Sequence, residues 1–189
     1  MEIIKRSYER MAVFERHALS SHSLPKCILV DANFLVAYLD QKTSADDQAR
    51  IKQFFAAAEK AKSKIIIPMP AVAEFLVRCD TAAIRILNLL EKKSYVYMAP
   101  FDRPAAFECA QLDRAALGSG NKKDGSLEPW QKIKIDRQIV AIGKANGANL
   151  VISDDESVRD NALRVGMQAI TISELELTPQ QEDWIKPAK

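Results

Sequence analysis

The sequence predicts an α/β fold, a three-layer α/β/α sandwich around a five-stranded parallel sheet in the order 3-2-1-4-5. Three observations carry that expectation. Five short apolar runs rich in β-branched residues recur along the chain. Stretches with apolar residues at helical spacing separate them, and helical crossovers between buried strands imply parallel pairing with helices on both faces. An aspartate directly follows the first run, and two follow the fourth after a single serine. Right-handed crossovers narrow the options to a doubly wound sheet, whose ligands bind beyond the carboxyl ends of strands where the strand order reverses.

The elements follow in order. Cys27–Val30 is an apolar run feeding Asp31, a buried strand. Asp46–Lys62 carries Ile51, Phe54, Phe55 and Ala58 as a helical stripe. Lys64–Ile67 is a β-branched strand stopped by Pro68. Met69–Cys79 has helical spacing through Val72, Phe75, Leu76 and Cys79, and Asp80–Thr81 caps a helix running to about Lys92. Tyr95–Met98 is the third strand, closed by Pro100, and Pro104 suits the first turn of a helix reaching Leu117. Residues 118–131 hold three glycines, a proline and mixed charge, so they form a loop. Helix returns over Ile133–Asn146 and ends at Gly147. Asn149–Ile152 is the fourth strand, Glu156–Arg164 a helix and Met167–Ile172 the fifth strand.

The 189 residues favour one domain, placed at 27–172, with an N-terminal extension (1–26) and a C-terminal tail (173–189). Hydrophobic residues make up 48% and charged residues 28%, as in ordinary globular proteins. Cys27, Cys79 and Cys109 lie inside apolar runs and are an odd number, which reads as reduced thiols in a cytoplasmic protein. Two histidines and no CxxC spacing argue against zinc. No apolar run has the length of a membrane span, and residues 1–26 lack the uninterrupted apolar stretch of a signal peptide. A net charge of +2 is nearly silent about nucleic acid.

Chemistry points to the acids. Asp31 ends the first strand, and Asp154 and Asp155 end the fourth. In the order 3-2-1-4-5 those strands are neighbours, so their carboxylates face one crevice. Glu74 lies one turn into the helix after the second strand, and Asp136 near the start of the helix before the fourth. Clustered carboxylates repel one another unless a cation neutralises them. An all-oxygen set suits Mg²⁺ or Mn²⁺, which bind phosphate oxygens and make a hydroxide nucleophile available at neutral pH. Each acid also has a plain structural reading. Asp31 can end a strand or start a turn, Glu74 can be a solvated helix residue, Asp136 can complement a helix dipole, and Asp154 or Asp155 can cap the next helix. Their joint placement on consecutive elements carries the functional reading.

With those residues in view, the sequence resembles the PIN-domain family, in particular its VapC-type toxins. Ile28–Asp40 (ILVDANFLVAYLD) looks like that family's opening strand, metal-binding acid and following helix. Pro68–Leu76 (PMPAVAEFL) is similar to its second motif, and Lys132–Asp155 resembles the third and fourth run together. The resemblance implies that Asp31, Glu74, Asp136 and Asp155 are metal-binding and catalytic. It gives Asp154 as a substitute or helper at the metal, Ser153 as the polar partner of the fourth motif, and Asn33 as a hydrogen-bonding residue of the site. It implies a Mg²⁺- or Mn²⁺-dependent ribonuclease, frequently a toxin neutralised by an antitoxin, in a family that tends to dimerise. The N-terminal extension and the 118–131 loop depart from the compact toxins.

Lys122, Lys123, Lys132, Lys134 and Arg137 cluster beside the loop. These five, Lys134 and Arg137 foremost, are candidates for holding the RNA backbone, and Trp130 for stacking on an unpaired base. The alternative is a solvated loop whose tryptophan tucks onto the core. A catalytically weak PIN-like domain that binds RNA or protein is the rival function, and it predicts weak metal binding. A phosphotransfer domain built on Asp31 would want an Asp two residues on, where Asn33 stands. No GxGxxG or P-loop follows the first strand, so no nucleotide cofactor is expected.

Overall fold

Strands β1 (Cys27–Val30), β2 (Lys64–Pro68), β3 (Val96–Ala99), β4 (Leu150–Ile152) and β5 (Gln168–Ile170) form one sheet in the order β3-β2-β1-β4-β5. Every neighbouring pair is parallel. The computed structural model describes residues 24–77 and 81–177. Residues 1–23 of the expected extension, the Asp80 cap, Cys79 and residues 178–189 of the tail therefore lie outside the described residues. Seven helices connect the described strands. Helices α1 (Ala32–Leu39) and α2 (Ala45–Ala61) follow β1, and α3 (Met69–Val77) and α4 (Thr81–Glu91) follow β2. Helices α5 (Arg103–Gly118) and α6 (Trp130–Ala145) lead from β3 to β4, and α7 (Glu156–Arg164) from β4 to β5.

Period-two alternation sends successive strand residues to opposite faces of the sheet, and both faces are apolar. Ile28, Val30, Ile65, Ile67, Leu150 and Ile152 pack on one side with Phe34, Ile51, Phe54, Phe55 and Leu87 from α1, α2 and α4. Leu29, Ile66 and Val151 pack on the other with Leu112, Ile139, Ile142 and Val158 from α5, α6 and α7. The three-layer sandwich is the consequence. Helix α6 approaches β1 closely, because a Cβ at Gly143 would lie 2.7 Å from a Leu29 methyl.

Two boundaries differ from the sequence reading in ways that matter. Pro68 does not stop β2 but belongs to it, pairing with Ala99 at the carboxyl end, where α3 begins at once. Helix α6 begins at Trp130 rather than Ile133, so the loop shrinks to 119–129. Pro129 is its N-cap, with φ −56°, and offers no side-chain cap. Asp136 consequently sits in the second turn of α6, and Lys132 lies one turn before it on the same face.

Candidate active site

The β1–β4 register starts the site. Val30 pairs with Ile152, so the next residues, Asp31 and Ser153, stand side by side where the two strands end. Asp31 is 2% exposed. It caps α1, its Oδ1 accepting the Phe34 N–H at 2.9 Å. Its Oδ2 accepts a short hydrogen bond from the Ser153 hydroxyl. Burial pushes the Asp31 pKa up to about 6, only partly offset by the Ser153 and Phe34 hydrogen bonds, while Asp155 and Asp154 push it further up.

Ser153 is the hinge between two acids. While donating to Asp31, its Oγ accepts the Asp155 N–H at 3.0 Å. Asp155 caps α7 through Oδ1, which accepts the Ser157 N–H at 2.9 Å, and turns Oδ2 toward α6. There the Lys132 ammonium stands 2.9 Å from Asp155 Oδ2 and 3.4 Å from Asp136 Oδ2, with Glu128 Oε1 at 4.0 Å. Asp136 is buried. Burial raises its pKa, and the Ser157 hydroxyl and Lys132 counter that rise while Asp155 adds to it. Burial works to lower the Lys132 pKa, but the Asp155 hydrogen bond and the charges of Asp136, Asp155 and Glu128 outweigh it and raise it. Asp31, Ser153, Asp155, Lys132 and Asp136 thus form one connected polar cluster in which two acids are shifted toward protonation.

The other expected residues lie on the elements around this cluster. Asp154 is exposed and its Oδ1 accepts the Ile172 N–H at 2.9 Å, which ties the β4 end to the turn after β5. Glu74 is half-buried on α3, beyond the carboxyl end of β2, and Asn33 is half-buried in the first turn of α1. Lys134 is exposed, and its charge acts on Cys109 of α5. Its position two residues before Asp136 puts it on the opposite side of α6.

Arg137 is placed least as a sequence would suggest. It is 1% exposed, bonded to Asp113 Oδ1 at 2.7 Å and to the Lys122 carbonyl at 2.8 Å. Its guanidinium and the Lys122 ammonium lie 5.6 and 5.0 Å from the centre of the Trp130 ring. Trp130 is therefore a half-buried cation–π platform inside the protein, not a free stacking surface.

Ser157 is a site residue that sequence reasoning left without a role, and Lys132, read there as a cation for the RNA backbone, lies instead between Asp136 and Asp155. An aspartate four residues after a lysine is a visible signal for Lys132, provided that both are placed on one helix. A cleft of about 520 Å³ opens beside them, between the 123–128 loop and α7, lined by Lys123, Ser126, Lys132, Asp155, Ser157 and Asn161. Its charge is mixed, since Asp124 pairs with Arg164 across it.

The chemistry of the donors suits a hard cation. Asp31, Asp136 and Asp155 are oxygen donors from three segments, and a positive charge already rests between two of them. In the present arrangement no three acidic, histidine or cysteine side chains among the described residues converge on one point.

Comparison with known proteins agrees with this fold. The structure resembles VapBC2 from Rickettsia felis bound to a promoter DNA fragment, with a TM-score of 0.54 and 13% identity over 77% of this chain and 98% of the other. It also resembles VapBC-1 from nontypeable Haemophilus influenzae, with a TM-score of 0.53 and 11% identity over 78% of this chain and 98% of that one. DNA-bound VapBC from Salmonella typhimurium matches with a TM-score of 0.50 and 16% identity, over 78% and 99% of the two chains. At such identities the likeness is one of fold. No curated protein sequence matches the chain significantly. The PIN domain profile matches residues 28–164, a span that holds β1 through α7 and every residue of the carboxylate cluster, and the chain belongs to the PIN domain family.

Proposed function

We propose that this protein is a metal-dependent endoribonuclease that hydrolyses phosphodiester bonds of single-stranded RNA. One observation carries the reading: Ser153 joins Asp31 to Asp155 at the switch point of the sheet, and Asp136 faces Asp155 across a single cation. Asp31, Asp136 and Asp155 would hold Mg²⁺ or Mn²⁺, with Glu74 aiding the ion or its water and Asp154, bonded to the Ile172 N–H, as a helper. When bound, such an ion lowers the pKa of water and offsets charge on the phosphate.

The chain's own groups prepare that chemistry. The Ser153 hydroxyl and the Phe34 N–H orient Asp31, and the α7 cap orients Asp155. Burial of Asp31 and Asp136 leaves negative charge in a poorly solvated place, which favours a cation there. The cleft beside Lys132 and Ser157 has the volume of a small-ligand site and would take the nucleotide next to the scissile bond. Asn33 and Ser153 are the polar side chains near the scissile bond, whereas Lys134, on the side of α6 away from Asp136, is not placed to hold the backbone there. Arg137 acts through the loop it holds.

The similar solved structures are VapBC assemblies, and the sequence motifs resemble VapC-type toxins. Both support an antitoxin partner, and the family's tendency supports a homodimer. A second reading has an observation of its own: Lys132 sits between two of the acids, as in a domain that binds RNA or protein with little cleavage.

The test incubates purified protein with single-stranded RNA in Mn²⁺, Mg²⁺ or EDTA, beside Asp31→Asn. Cleavage that requires the metal and is lost in the variant is expected. Cleavage that persists in EDTA or in Asp31→Asn would sink the metal-dependent mechanism, and no cleavage of any RNA would favour the binding module.

A further inference from the structure

Lys132 has the geometry of a bound cation. Its ammonium is 2.9 Å from Asp155 Oδ2, 3.4 Å from Asp136 Oδ2 and 4.0 Å from Glu128 Oε1. Its position is set by the backbone, because α6 begins early enough to place Lys132 one turn before Asp136. An ammonium has three donors and no acceptor, so carboxylate oxygens are its natural partners. A hard divalent ion requires the same oxygens. The two cations would also repel each other at contact distance.

We infer that Lys132 is an internal counter-ion which a divalent metal must displace from Asp136 and Asp155, and which thereby sets how tightly the site binds metal. The inference rests on the metal-dependent reading of the site and deepens it. Without metal, Lys132 offsets the repulsion between Asp155 and the buried Asp136. Its four-carbon stem lets the ammonium leave: the side chain is 36% exposed and borders the open cleft, so displacement needs only rotamer changes. Metal affinity is then the difference between what the ion gains from the carboxylates and what Lys132 loses on leaving them.

Removing the ammonium has two consequences of opposite sign. The metal-free protein becomes less stable, and the metal-bound protein gains, because no cation has to be displaced. A merely structural lysine would produce the first effect without the second. Lys132→Met keeps the aliphatic stem and the helical propensity of α6, while Lys132→Gln is a polar, uncharged control should the thioether pack poorly.

The experiment titrates Mn²⁺ into wild type, Lys132→Met, Lys132→Gln and Asp31→Asn by calorimetry at fixed pH, and records Tm in EDTA and in Mn²⁺. Both neutral variants are expected to bind Mn²⁺ on the order of tenfold more tightly than wild type. They should also show a lower Tm in EDTA and a larger rise with Mn²⁺. Equal or weaker Mn²⁺ binding in both folded variants, with wild-type binding abolished by Asp31→Asn, overturns the counter-ion and leaves the metal site standing. Absence of Mn²⁺ binding in wild type and both variants overturns the inference together with the metal-dependent function.

Discussion

Asp31 has both carboxylate oxygens committed to the protein: one caps α1 and the other accepts from Ser153. Those bonds orient it without repaying its burial, and its pKa stands at about 6 against an ordinary 3.8. The native state therefore holds the Asp31 proton more tightly than the unfolded chain. Its burial costs nothing below about pH 4, and stability falls as pH rises through about 6, by an amount on the order of 2–3 kcal/mol in metal-free buffer. Asp31→Asn keeps a cap acceptor and removes the charge. It should thus be more stable than wild type at pH 8 in EDTA, and the advantage should vanish near pH 4. Urea unfolding at the two pH values checks this, and a destabilised variant at pH 8 would contradict the cost assigned to burial. Ser153 acts through its neighbours. Ser153→Ala unclamps Asp31 and leaves the Asp155 N–H without its side-chain acceptor, and it is expected to weaken Mn²⁺ binding about 10- to 100-fold with the fold intact. Calorimetry alongside circular dichroism separates the two effects.

At the scale of elements, α6 has two jobs. Its first two turns present Lys132 and Asp136 to the site, and the following turns of the same stripe bury Ile139 and Val140 against the sheet. The rotation that seats this stripe on the sheet also fixes where Asp136 points, so the packing of α6 on β1 is part of the site. Gly143 permits that approach, since a Cβ there meets the fully buried Leu29 side chain. Gly143→Val should destabilise the protein by about 1–3 kcal/mol through overpacking, despite leaving every site residue in place. Thermal unfolding measures it. An unchanged Tm would mean that Leu29 has room to move. The caps repeat the theme, for Asp155 begins α7 with one oxygen and serves the site with the other.

Across the whole molecule, the site exists because the strand order reverses between β1 and β4, bringing residues more than a hundred positions apart into hydrogen-bond contact. The loop 119–129 is held to this frame by Arg137, a buried cation that reaches Asp113 on α5 and the Lys122 carbonyl in the loop. Arg137→Ala removes the charge and the packing of Trp130 together. It is expected to cost about 2–4 kcal/mol and to speed trypsin cleavage at Lys122 and Lys123 relative to wild type. Slower or unchanged cleavage there would show that the loop is held by other contacts. No helix among the described residues is long and apolar enough to cross a membrane.

The sequence alone determined the five parallel strands and set Asp31 and Asp155 at their ends, while the strand order came with the resemblance to PIN domains. Strands buried on both faces read as continuous apolar runs, helices read by their period, and Asp31 and Asp155 follow strands whose ends are unmistakable. It pointed Lys132 at RNA rather than at the acids, because a glycine-, proline- and charge-rich stretch hid the true start of α6 at Trp130. A three-residue shift in a helix boundary turns a loop lysine into the residue one turn before Asp136. Nor did it reveal that Arg137 is buried or that Trp130 is occupied, since a cation beside a loop normally faces water. Periodicity and burial are properties of neighbouring residues and are written locally. Which cation stands between Asp136 and Asp155, and which one lies inside, depends on how α5, α6 and α7 pack, and only the tertiary structure decided it.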